Sequence, residues 1–207
     1  MSADKMTRAT GLVVLVLAAC TNKEAVGDKH AVDLVSGDAV EIEAIVKGDE
    51  LVVRKGDREA NLRLLGIHAF EAVTDDPGLG KLRDPVIAHL RKKAIGKRVV
   101  VTLGSITKDP HGRYLGYAAH DGVELNEQLI REGYVLAYTE FPHAKEGAYL
   151  LAETAARQAH KGIWRDDGTL SLFKGLRRQW AEARGKRTGE TIDDPLLREP
   201  PSDAQDK

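Results

Sequence analysis

The sequence predicts a β-barrel with helices, an α+β fold in which short strands come first and helices are added late. Three observations carry this. Several short runs in the first half place apolar residues in the two-residue period of half-buried strands. Glycine-containing turns separate them. Runs with helical spacing follow, each stopped by a glycine.

The elements follow in order. Residues 1–19 combine a basic start, Lys5 and Arg8, with the apolar run GLVVLVLAA. That run is too short to span a bilayer and has the length of a signal-peptide core. It ends in LAAC, where Cys20 is the one cysteine of the chain, so disulfide stapling is not its purpose. The segment resembles the bacterial lipobox, in which the cysteine is lipidated and becomes the first mature residue. Acyl chains there would anchor a soluble domain stably. Thr21 after the cysteine favours the outer membrane over inner-membrane retention. The expected arrangement is a lipoprotein signal peptide over 1–19 and a lipidated tether over 20–37, with no transmembrane helix in the mature chain.

Residues 40–46, VEIEAIV, alternate as one strand. Residues 51–54 and 62–67 give two more, with Lys55, Gly56 and Asp57 as the turn between them. Residues 82–95 repeat Leu82, Val86 and Leu90 at helical spacing and stop at Gly96. Strands are expected at 98–103 and 114–119, and a short helix at 125–132 before Gly133. A longer helix at 145–161 ends at Gly162, with Leu150, Leu151, Ala155 and Ala159 on its inner side. The order suits a five-stranded barrel of the OB type with about three helices. Over 167–187, Leu172, Phe173, Leu176 and Trp180 form an apolar stripe on a basic helix, expected to pack on the barrel and solvate its charges. Residues 188–207 are acidic and Pro-rich, the composition of a disordered tail. The chain is 42% hydrophobic and 30% charged, with net charge −1, so any basic surface must be local.

Over residues 38–166 an ordered set of short motifs stands out. It comprises Gly48-Asp49, Arg63-Leu64-Leu65-Gly66-Ile67, Glu71, Asp109-Pro-His-Gly-Arg113, Asp121-Gly122, Asn126-Glu127 and Gly162-Ile163-Trp164. In order and spacing this set resembles the staphylococcal nuclease family. The resemblance implies an OB barrel and calcium-dependent cleavage of DNA and RNA phosphodiesters. It assigns Arg63 and Arg113 to the phosphate, Glu71 to the attacking water, and Asp49 to the metal. Guanidinium groups suit a phosphate because they offer paired N–H donors.

The departures gather on the metal. His68 stands where the family has a second aspartate. Ala69 replaces a threonine whose carbonyl is a ligand, and it keeps that carbonyl. Phe70 replaces a proline, Lys47 an acidic residue and Glu50 a threonine. Losing a carboxylate while gaining an ammonium weakens a calcium site, and imidazole suits manganese or zinc better. Asp49, His68 and Ala69 are therefore the candidate metal residues, for a divalent ion whose identity the sequence leaves open. The surviving arginines and glutamate favour an envelope-anchored, thermonuclease-type phosphodiesterase with an altered metal site. A site using no metal, with Lys47 or protonated His68 supplying the charge, stays open. So does a catalytically inactive OB module that binds nucleic acid or protein.

Overall fold

The computed structural model describes residues 32–71 and 77–198. Cys20 and the apolar run before it lie outside the described residues.

Strands β1 (Ala39–Lys47), β2 (Glu50–Lys55) and β3 (Arg58–Leu64) form an antiparallel meander, followed by the short β4 (Ile67–His68). A single helical turn, α1 (Pro77–Gly80), precedes α2 (Arg83–Lys93). The hairpin of β5 (Arg98–Lys108) and β6 (Tyr114–His120) comes next, with β7 (Val123–Glu124) added to β6. Then follow α3 (Leu125–Arg131), β8 (Leu136–Ala137), α4 (Glu146–Gln158), two 3-10 turns at Gly162–Arg165 and Asp167–Thr169, and α5 (Leu170–Thr188). The sheet order is β3-β2-β1-β5-β6-β7, and a parallel pairing of β3 with β6 closes five strands into a mixed barrel. This is the OB-type α+β architecture that the early alternation and late helical spacing predict.

The barrel closes because β1 is bulged. Its inward residues are Val40, Ile42 and Ile45, so the two-residue spacing slips by one after Ile42. The register against β2 shifts between Ile42 and Ala44 and again between Ile45 and Lys47. Each extra residue bends the strand and lets the sheet curl on itself. Leu51, Val53, Leu62, Leu64, Val99 and Val101 fill the interior. Near the far end, Gly133 and Gly162 meet backbone to backbone. Ile163 donates its N–H to the Gly133 carbonyl at 2.8 Å, and a Cβ on Gly162 would lie 2.0 Å from that same oxygen.

Three expectations about the C-terminal half need correction. In α4 the inner face is Tyr149, Leu150, Ala152, Glu153 and Ala156, whereas Leu151 is 72% exposed. In α5 the stripe of Phe173 and Trp180 does pack inward, but Arg177 and Arg184 are buried with it rather than solvated. Arg177 is fully enclosed. It reaches Glu153 of α4 and, at 2.6 Å, Asp194. Glu153 in turn accepts the Ala137 N–H at 2.9 Å. Arg184 holds Glu146 at 2.5 Å and the Thr139 carbonyl at 3.2 Å. The segment after 188 is likewise packed as far as Leu196, because Asp194 supplies the second carboxylate of this ion pair and Leu196 is buried against the aromatic cluster. Composition suggested a disordered tail because it counts charges without locating their partners.

Arg177→Ala should destabilise the protein by about 3 kcal/mol or more, since it leaves two carboxylates buried without a cation. Lys186→Ala, which breaks an exposed pair with Glu182, should change stability by less than about 0.5 kcal/mol. Urea unfolding of both variants checks this; equal losses would show that the buried cluster carries no special weight.

Candidate active site

The site forms at the barrel edge where the β1–β2 turn, β3 and the segment after β4 meet. Strand register sets it up: Lys47 pairs across β1–β2 with Glu50, Glu50 across β2–β3 with Arg63, and Arg63 across β3–β6 with Leu115. Directly opposed residues share a face. Arg63 lies between the buried Leu62 and Leu64 and therefore projects the other way, leaving 20% of its side chain exposed.

Asp49 is buried in the turn. Its carboxylate pairs with Arg63 and accepts the Ala69 N–H at 3.0 Å. Its carbonyl accepts the Leu64 N–H at 2.8 Å. Glu50, also buried, holds Arg113 at 2.7 Å. Asp109 holds the same guanidinium at 2.7 Å from the other side and caps its own turn by accepting the N–H groups of His111 and Arg113. Burial alone would raise the Asp109 carboxyl, but the bonds from Arg113 and these N–H groups keep it below the ordinary range. Glu71 is exposed and receives the Lys47 ammonium at 2.5 Å. That hydrogen bond is the main reason its carboxyl lies low, so Glu71 is ionised at neutral pH.

His68 has other surroundings. Its ring packs edge-on to Trp180 at 5.0 Å and to Phe70 at 5.6 Å, and stacks near Tyr138 at 6.0 Å. Burial pushes its pKa down, outweighing the pull of Asp49. The ring is thus neutral at pH 7, and protonated His68 is not a source of positive charge.

A hard divalent cation takes six or more oxygens, several of them carboxylate. Here Asp49 is engaged by Arg63, Glu50 by Arg113, and Glu71 by Lys47. Among the described residues no group of three or more His, Cys, Asp or Glu side chains is placed to hold an ion. Among the described residues the donor set does not fit a calcium shell, and the aromatic packing of His68 does not suit a ligand for a softer ion. The structure therefore brings Lys47, Asp49, Glu50, Arg63, Glu71 and Arg113 into one charged surface and gives His68 to the packing of α5. Sequence reading noticed Glu50 only as a departure, and Lys47 as a departure or as a source of charge in a site without metal. Their role as partners of Arg113 and Glu71 had a signal in the strand register, which sequence pattern leaves undefined here.

Residues 61–166 match the family model of the staphylococcal nuclease homologues. The thermonuclease of Staphylococcus intermedius is 24% identical over 164 residues, covering 75% of this chain and 96% of that one. An uncharacterised protein of Bacillus anthracis is 29% identical over 130 residues, 58% of this chain, and the match spans only 61% of that relative. Endonuclease YhcR of Bacillus subtilis is 34% identical over 79 residues, 36% of this chain and 6% of its own length.

One titration follows from the packing beside the site. His143 lies against Gly66, its Nε2 buried with no hydrogen-bond partner among the described residues, and burial pushes its pKa down to about 4. An unfolded chain binds the same proton near 6.5, so stability contributed by this group is full above about pH 6.5 and is lost as pH falls toward 4. The loss should be on the order of 2–3 kcal/mol, with His68 adding to it in the same direction. Urea unfolding near pH 7.5 and pH 5 should show a smaller difference in His143→Gln than in wild type. An equal difference would remove His143 as a source.

Proposed function

Because this chain belongs to the staphylococcal nuclease homologue family, we propose that it is an envelope-anchored phosphodiesterase acting on DNA or RNA, with a site altered from the family's calcium chemistry. The supporting observation is the pair of guanidiniums, Arg63 and Arg113, each mounted on a buried carboxylate and each about one fifth exposed. Arginine held this way is pre-oriented to give a phosphate two N–H donors without losing side-chain entropy on binding.

The chemistry is derived from the chain's own groups. Phosphate oxygens accept from Arg63 and Arg113. Lys47 leaves Glu71 for a non-bridging phosphate oxygen, where its charge opposes the negative charge that develops on attack. Glu71, released from its ammonium, becomes more basic and takes the proton of the attacking water; the water oxygen bonds to phosphorus as the P–O bond to one ester oxygen breaks, and that departing oxygen takes a proton from solvent. Lys47 thus does electrostatically what the family assigns to a metal, while Asp49 positions Arg63. A second reading, a binding module without catalysis, is favoured by the self-neutralised state of the site: every carboxylate in it is already held by a cation.

The anchoring part of the proposal rests on the apolar run and Cys20. No helix among the described residues is long and apolar enough to cross a membrane. Cys20→Ser should abolish incorporation of labelled lipid and shift the protein out of the membrane fraction; wild type that takes up no lipid would end this claim.

Incubation of the full chain with single-stranded DNA, across calcium, manganese, zinc and a chelator, tests the catalytic part. Cleavage should survive chelation and fall at least about a hundredfold in Glu71→Gln, the scale of a lost general base. Arg63→Lys and Arg113→Lys should each weaken binding about tenfold, because lysine offers only a point charge. Strong calcium stimulation of wild type defeats the Lys47 account; binding without cleavage under every condition establishes the binding module.

A further inference from the structure

With a net charge of −1, a surface for a polyanion has to be local. One stands at the C-terminal end of α2. Arg91, Lys92 and Lys93 close that helix, and Lys97 and Arg98 lie just beyond it at the start of β5. All five are exposed, and none makes an ion pair or side-chain hydrogen bond among the described residues. The cations of the candidate active site are, by contrast, each held by a carboxylate. The helix dipole accounts for basic residues in a last turn. It does not account for Lys97 and Arg98.

A cavity of about 310 Å³ opens beside these residues. Ile42, Ala94 and Val99 give it a buried apolar floor, Lys93 and Lys97 stand at its edge, and Gln128 adds an amide. Helix α2 links this place to the candidate active site. Its Val86 packs on Gly48, next to Asp49, so closely that a Cβ on Gly48 would lie 2.7 Å from Val86 Cγ1 and 2.6 Å from Ala69 Cβ. From Val86 to Lys93 the helix runs about 10 Å.

We infer that the α2–β5 surface is a second contact for single-stranded nucleic acid. The strand held by its phosphate at Arg63 and Arg113 continues along α2, sets further phosphates on Lys92, Lys93 and Lys97, and places an unstacked base in the cavity. This rests on the reading of the barrel as a nucleic-acid-binding domain. An anionic lipid surface would also be drawn to these five exposed cations and to Ile95, which is 44% exposed. A lipid surface has no use for the cavity, whereas a single strand is held by a cationic track together with places for its bases.

The test is fluorescence anisotropy with the full chain over a salt series, using an oligothymidylate of about twelve nucleotides and a dithymidylate. The variants are Arg63→Lys and the triple Lys92→Gln, Lys93→Gln, Lys97→Gln, with circular dichroism to confirm folding. The triple variant should weaken the longer strand about tenfold or more and lower its salt slope by about two, at roughly 0.7 per phosphate contact. It should leave the dinucleotide, which reaches only the arginines, unchanged. An unchanged slope on the longer strand, or equal weakening of both lengths, overturns the second contact. Loss of binding to phosphatidylglycerol vesicles with an unchanged oligonucleotide slope overturns it too and gives the surface to lipid. If Arg63→Lys affects neither length while the triple variant keeps its effect, the reading of the barrel site fails and the second contact stands.

Discussion

The buried carboxylate of Asp49 is the interaction on which the site depends. A carboxylate removed from water without partners costs several kcal/mol, so its surroundings must supply them. Arg63 comes from β3 and the Ala69 N–H from the segment after β4, while the carbonyl of Asp49 takes the Leu64 N–H. Two separate pieces of chain are thereby fixed to one turn. Arg63 points where it does because Asp49 holds it, and Glu71 stands two residues beyond the N–H that Asp49 secures. Structure and function are entangled here: a change at either member of the pair disturbs both.

The second constraint comes from α5, which lies wholly beyond the residues that match the family model. Trp180 meets His68, and Phe173 stacks on Phe70 at 5.5 Å. The helix is docked by Arg177 against Glu153 and Asp194, all three buried. Such an arrangement adds little net stability over an apolar equivalent, but it punishes misplacement, because any shift strands a charge in a dry interior. The loop carrying the candidate residues therefore rests on a helix that is held in one register. The aromatic environment of His68 follows from this packing, and an aspartate at that position would face Trp180 and Phe70.

The charges divide into two populations. At the barrel edge Lys47, Arg63 and Arg113 are matched to Glu71, Asp49, Glu50 and Asp109. A phosphate there gains oriented donors but competes with carboxylates already in place. At the end of α2 the cations are unmatched among the described residues, and their attraction for a polyanion is long-ranged and sensitive to salt. The first arrangement favours geometry and the second favours encounter, the combination that the proposed selection of one phosphate within a long strand would use.

The sequence alone determined the barrel and most of its elements, because a half-buried strand writes its two faces as alternation and a helix writes its stop as glycine. It also singled out Asp49, Arg63, Glu71 and Arg113 as candidates, which the structure brings to one charged surface, since short motifs in a fixed order survive without knowledge of contacts. Tertiary structure decided what alternation cannot encode. The bulges of β1 and the short β4–β8 pair depend on barrel closure rather than on local pattern. The burial of Arg177, Arg184, Asp194 and Leu196 depends on partners far away in the chain. The meaning of Lys47, Glu50 and His68 was decided there as well: each read as a departure from the family's pattern, and each turned out to have a partner, because the register of β1, β2 and β3 and the docking of α5 determine which charges and rings come within reach of one another.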